Sequence, residues 1–201
     1  QEFTASIADA DGKVFLSYTP VGPDPHDPLP PKVANPKEPK DYTSAELAYL
    51  TGLRLDQFHN GLIDPVPYYE RALELDPDYS AANVAMGIRL YKGGEFVKAE
   101  SYLRRAAARV NQNYMRAKDV EPEYYLALAL REQGRLKEAE DLLWRVTWRA
   151  TMKKEAFFEI VRICLLQNRL KEAHDILEFS VLPLGMDEAK FHTLHAYVHR
   201  R

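Results

Sequence analysis

The sequence predicts an all-α chain, a right-handed solenoid of stacked helical hairpins preceded by a short strand and a Pro-rich extended segment. Two sets of spacings carry this reading. Gly52, Gly87, Ala127, Val161 and His195 recur at intervals of 35, 40, 34 and 34 residues, and each leads three residues later to Leu55, Leu90, Leu130, Cys164 and Val198. Within the intervals, Ala99, Leu103 and Ala106 follow Gly87 by 12, 16 and 19 residues. The same offsets give Ala139, Leu143 and Val146 after Ala127, and Ala173, Leu177 and Ser180 after Val161. Small residues at the outer positions let two helices approach closely, and the larger one fills the gap between them. Tyr69, Ala72 and Pro77 take the later positions of the first unit, with one extra residue before Ala72.

A period near 34 filled by two short helices is the signature of a tetratricopeptide-type array. Such a unit cannot bury its apolar face alone. It stacks, and stacking builds a concave surface suited to a partner.

Taken in order, residues 1–19 are not helical. Gly12–Tyr18 reads as a turn followed by a strand rich in apolar and aromatic residues. One strand is not stable alone, so this segment is expected either to dock on the helices or to be the C-terminal strand of a β-sandwich domain lying outside this chain. Residues 20–42 form a Pro-rich linker, because eight of the thirteen prolines fall between Pro20 and Pro39 and forbid a helix. Leu29 and Val33 are its expected anchors along the array. The array itself is assigned to 43–201, about four repeats and a terminal half-repeat.

Thr43-Ser44-Ala45-Glu46 has the form of a capping box at the start of the first helix, which His59-Asn60-Gly61 ends. Pro65 and Pro67 suit the first turn of the next helix, and Asp76-Pro77 its end. Gly93-Gly94, Gln133-Gly134-Arg135 and Gln167-Asn168-Arg169 are the turns inside later pairs. The 40-residue interval holds a six-residue insertion, placed within 111–119, where a longer loop can carry function. Asp187 to Arg201 reads as a lone first helix. With the orphan strand and the missing initiator Met, it suggests a piece of a longer protein.

The formal net charge of −3 argues against nucleic-acid binding, which needs an excess of Lys and Arg. No apolar run approaches the roughly 20 residues that span a bilayer, so no membrane partner is expected. The single cysteine, Cys164, is expected to be buried and inert; lack of an internal disulfide favours a cytoplasmic setting.

First helices line the concave side of such arrays. The groove-facing positions are Tyr49, Leu53 and Asp56; Ile88, Tyr91 and Lys92; Tyr124, Tyr125, Leu128, Arg131 and Glu132; and Phe158, Glu159, Arg162 and Leu165. This face is aromatic with charges of both signs, and Tyr and Arg often dominate recognition. No phosphate-binding glycine loop and no nucleophile elbow occurs. Glu138, Glu140 and Asp141 beside Arg135 and Lys137 read as a solvated face. His192, His195 and His199 share one face of the last helix at spacings a metal could use. His195 falls on a packed position, however, and no nearby carboxylate or Cys completes the set, so no metal or cofactor is expected. Trp144 and Trp148, four apart, are assigned to packing between units.

Several segments together resemble the helical region of large bacterial proteins that carry an N-terminal β-sandwich of unknown function, galactose-mutarotase-like in appearance, followed by tetratricopeptide repeats. They are Tyr49–Asn60, Asp64-Pro65, Pro67–Leu73, Tyr124–Leu130, Gln133–Leu136, Thr147-Trp148 and Gly12–Tyr18. In this chain Asp119-Val120-Glu121 replaces the Asp-Gly-Glu turn typical of such proteins. The resemblance implies a sandwich before residue 1, further repeats after Arg201 and a carbohydrate-linked setting. It brings no catalytic residues. The expected function is a non-catalytic scaffold that binds a protein, through a peptide or a domain, in the concave groove. The alternatives are an accessory region of a larger carbohydrate-active enzyme, and direct oligosaccharide binding by the aromatic groove.

Overall fold

In the computed structural model, which describes residues 3–20, 34–58, 61–113, 118–184 and 188–200, the chain divides into two units, 1–35 and 36–201. In the first unit the expected strand, β2 (Val14–Tyr18), pairs antiparallel with a second strand, β1 (Ala5–Ala8), that the sequence reading missed. Ala5 faces Tyr18 and Ile7 faces Leu16, with a bulge between Ile7 and Ala8. The turn is held by Asp9, whose Oδ1 accepts from the backbone N–H of Asp11 and of Lys13, and by Gly12 at φ 82°. Ala-Ser-Ile-Ala lacks the aromatic content that marks β2, so only pairing identifies it as a strand. Leu29 and Val33 lie outside the described residues, as do His59 and Asn60.

The second unit is helical. Among its described residues are α1 (Ala45–Gln57), α2 (Val66–Leu75), α3 (Ser80–Lys92), α4 (Phe96–Asn111), α5 (Glu121–Glu132), α6 (Leu136–Val146), α7 (Lys153–Leu166), α8 (Leu170–Ile176) and α9 (Ala189–His199). Each helix packs mainly on its neighbours in sequence, while α1 also meets α3 and α3 meets α5. That pattern is a stack of hairpins with the first helices in a row, so the fold is an all-α tetratricopeptide-type solenoid. None of the described helices is long and apolar enough to cross a membrane.

The repeat is visible in the backbone as well as in the side chains. Gly94 and Gly134 adopt φ 79° and 77°, and Asn168 takes the same left-handed conformation at 58°. In all three turns an N–H reaches back five residues: Glu95 to Leu90, Arg135 to Leu130 and Arg169 to Cys164, at 2.8–3.0 Å. This closes the first helix of each pair and aims the chain into the second. The residues that then cap α4, α6 and α8 share one backbone conformation, and each pairs with a charge three residues on: Glu95 with Lys98, Arg135 with Glu138, Arg169 with Glu172.

The small positions do what their spacing implies. A Cβ on Gly87 would lie 2.5 Å from Cγ of Leu103, and one on Gly52 would lie 2.8 Å from the Tyr69 ring. One core runs from α4 to α9 around Leu103, Leu130, Leu143, Ile160 and Phe191; a smaller one gathers Ala48, Ala72 and Ala82 under Tyr42, Tyr49 and Tyr79. Residues just before α1 lie across α2, where Tyr68 donates to the carbonyl of Lys37 and Arg71 to that of Tyr42.

Four expectations need correction. The cap of α1 is Ser44, whose hydroxyl accepts from the N–H of Leu47, so Thr43 and Glu46 do not form the reciprocal pair. Trp144 does rest edge-on against Phe157 of the next unit, though 37% exposed, whereas Trp148 is 58% exposed rather than buried between units. Ser180 is not the buried counterpart of Ala106 and Val146. A π-helix, Leu177–Val181, continues α8 and adds one residue to the turn, which moves the core position to Val181. Part of the extra length is helical, since α4 has 16 residues against 11 in α6.

Candidate functional site

Along α1 and α3 one face of each helix opens on a recess of about 820 Å³, closed at its far side by the start of α5. Helical spacing sets its walls: Tyr49, Leu53 and Asp56 descend α1, while Val84, Ile88, Arg89 and Lys92 descend α3. Leu53, Val84 and Ile88 supply an apolar floor. The charge on the walls is organised. Asp56 is held on both oxygens, accepting 2.7 Å from the Tyr69 hydroxyl and 2.6 Å from Arg89. Burial, then that hydrogen bond to Asp56, pushes the Tyr69 hydroxyl far above the usual tyrosine range, so it stays a donor.

Asp119 and Glu121 form an acidic edge, with Asp119 accepting the N–H of Glu121. Burial, with Asp119 alongside, raises the Glu121 carboxyl. Lys92 enters no ion pair among the described residues. Asp119 comes from the end of the inserted loop, so the insertion contributes to this wall; Tyr114 to Ala117 lie outside the described residues.

Of the groove residues read from sequence, Tyr49, Leu53, Asp56, Ile88 and Lys92 meet in this recess. Tyr91 does not. It turns toward Phe96, ring centres 5.7 Å apart, and packs on the larger core. Arg89 was missed, although the stripe Ala81, Ala85, Ile88 and Lys92 brackets it. Tyr124 and Tyr125 are half-buried and meet edge-to-face at 5.4 Å. Burial pushes the Tyr124 hydroxyl up to about 12.

Arg131 is 9% exposed and spent on an ion pair with Glu159, itself bonded by Arg162 at 3.1 Å. Leu128 and Glu159 are buried too, while Glu132 at the surface pairs with Arg131. Phe158 is covered edge-on by Phe191 of α9 at 5.6 Å, with the Arg162 guanidinium 5.8 Å from its ring centre; Leu165 packs on the core. The α7 end of the groove is therefore filled by α9. Two neighbouring first helices bury residues that a single helix reads as exposed, which is why spacing alone misplaced them.

Side-chain clusters elsewhere differ from those read by spacing. Glu140, Glu172 and Cys164 lie together, but Arg169 joins the two carboxylates at 2.6 and 2.7 Å and satisfies them. Burial raises the Cys164 thiol to about 11, as expected of an inert cysteine. His195 and His199 do not group with His192, which is exposed. They meet His174 and Glu178 of the preceding hairpin.

No family model matches this chain. Its fold is similar to that of YrrB, described as a TPR protein with an unusual peptide-binding site. The two share 19% identity over 80% of this chain and 79% of that one, with a TM-score of 0.63. PilW, a widely conserved type IV pilus biogenesis factor, matches at 19% identity over 80% and 71%, TM-score 0.65. Pseudomonas aeruginosa pilF matches at 22% over 78% and 68%, TM-score 0.62. At these identities the likeness establishes the fold.

Proposed function

We propose that the array is a non-catalytic protein-interaction scaffold, and that its recess holds an extended peptide segment presenting an apolar side chain beside a basic one. The observation that carries this is the pairing of an apolar floor, Leu53, Val84 and Ile88, with the acidic edge Asp119 and Glu121. Asp56 is already neutralised by Arg89, so the net field at the rim is set by Asp119 and Glu121 against Lys92. A cationic side chain is drawn to that edge while its neighbour fills the floor. The peptide-binding site ascribed to YrrB supports the general mode.

The test is fluorescence polarisation against a positional library of short labelled peptides. Binding should select Leu, Ile or Phe next to Lys or Arg. Leu53→Asp should weaken the selected peptide by about tenfold or more, as loss of a central contact does. Glu121→Lys should reverse the charge preference. Selected peptides that bind both variants as tightly as the parent would refute the proposal.

A second reading is that the first unit belongs to a β-sandwich and links the array to carbohydrate chemistry. The hairpin supports it: Ile7, Phe15, Leu16 and Tyr18 are each more than 60% exposed, and a two-stranded ribbon gains stability by joining a larger sheet. Expression of the longer reading frame, followed by glycan-array binding, decides it. A frame with no β-domain upstream would remove this reading.

A further inference from the structure

The junction between the last full hairpin and α9 brings together four side chains that no spacing rule connects. His174 and Glu178 lie one turn apart, on α8 and the π-helix that continues it; His195 and His199 lie one turn apart on α9. Glu178 Oε1 is 2.7 Å from His195 Nε2, 3.7 Å from His199 Nε2 and 3.9 Å from His174 Nε2. The two α9 nitrogens are 3.1 Å apart. Ligand atoms of His174, Glu178 and His199 all fall within 4.8 Å of one another.

A tetrahedral zinc ion with bonds of about 2.0–2.2 Å sets its ligand atoms roughly 3.3–3.6 Å apart. The observed separations bracket that edge, so rotations of exposed side chains suffice to close the tetrahedron. We propose that His174, Glu178, His195 and His199 bind a divalent transition-metal ion, zinc in preference to magnesium or calcium, and that the ion clamps α9 to α8.

Ligand type sets the class of ion. Three imidazoles with one carboxylate suit zinc, cobalt, nickel or copper, whereas magnesium and calcium require oxygen donors. Two ligand pairs, each spaced by one turn on a separate helix, supply four donors without distorting either backbone. Asp175 Oδ1 lies 3.6 Å from Nδ1 of His174, on the side from which an outer carboxylate orients a ligating ring. The ligands are 28–49% exposed and so accessible to an ion. Phe191 and Val198, one turn before and after His195 on the adjoining buried face of α9, hold the helix in place independently of the metal. A complete protein ligand set describes a structural ion rather than a catalytic one.

Cobalt(II) titration of the metal-stripped chain tests the site, because tetrahedral cobalt gives visible d–d bands. The parent chain should show those bands at one ion per chain, lose them on addition of zinc and melt at a higher temperature with zinc present. His195→Ala/His199→Ala should abolish the bands and weaken zinc binding beyond the roughly 10–100-fold cost of losing an outer supporting residue. His192→Ala should behave as the parent. Glu178→Gln, which keeps shape and helix, should weaken zinc in the same direction and guards against a misfolded double variant. Absence of the bands in the parent, or zinc affinity unchanged by both the double variant and Glu178→Gln, would overturn the site. Loss of binding in His192→Ala with retention in Glu178→Gln would overturn it too.

Discussion

At Gly87 the repeat leaves no room for a side chain. A Cβ there would sit 2.5 Å from Leu103, whose side chain is fully buried and has nowhere to retreat. Gly87→Ala should therefore destabilise the chain by about 1–3 kcal/mol, read as a lower urea midpoint. An unchanged midpoint would mean that α3 and α4 separate freely. Ala127 and Val161 occupy the equivalent place further along, so the close approach belongs to the early hairpins. A second residue-scale prediction concerns Arg131. Among the described residues, removing it leaves the buried Glu159 carboxylate with Arg162 as its remaining ion-pair partner. Arg131→Ala should cost about 2–4 kcal/mol, whereas the double change Arg131→Met with Glu159→Leu should cost far less, since the paired charges pay desolvation together. Equal losses in the single and double variants would contradict this account. The sequence identified Arg131 as a recognition residue from its helical position; only the neighbouring helix reveals that its charge is already matched.

At the scale of elements, the turn that follows α3, α5 and α7 is the most repeated feature among the described residues. Gly94, Gly134 and Asn168 all occupy the left-handed region, which costs a residue with a Cβ about 1–2 kcal/mol unless its side chain bonds locally. Gly134→Ala should thus lower stability by about 1 kcal/mol, and Asn168→Gly should be neutral or slightly stabilising in the same unfolding assay. A neutral Gly134→Ala would mean the turn can relax out of that conformation. These turns were legible in advance because Gly and Asn advertise them. The π-helix after α8 was not. Its single added residue shifts the core from Ser180 to Val181, and no residue preference marks such a shift.

For the whole molecule, buried hydroxyls and the thiol set the alkaline limit. Burial raises Tyr69, Tyr124 and Cys164 above their usual ranges in the folded state. Above the unfolded values, about 8.5 for Cys and about 10 for Tyr, the unfolded chain releases protons that the folded chain keeps. Stability is accordingly full below pH 8 and falls as pH rises, through about 11 for Cys164 and about 12 for Tyr124. Urea midpoints at pH 7.5, 9.5 and 10.5 should decline, and Cys164→Ala should flatten the first part of that decline, by at most about 1.4 kcal/mol per pH unit. An equal slope in Cys164→Ala would remove the thiol from the explanation.

The chain's own order of residues determined the helices, their pairing and the turns between them, because each depends on contacts between near neighbours along the backbone: a small residue against a large one, a glycine after a helix. The tertiary structure alone decided which charges are already paired, that Phe158 is roofed by α9, and that His174 and Glu178 stand opposite His195 and His199. Those outcomes depend on how successive hairpins abut, and the rotation of one hairpin on the next is a sum of many weak packing terms that no short stretch of residues encodes.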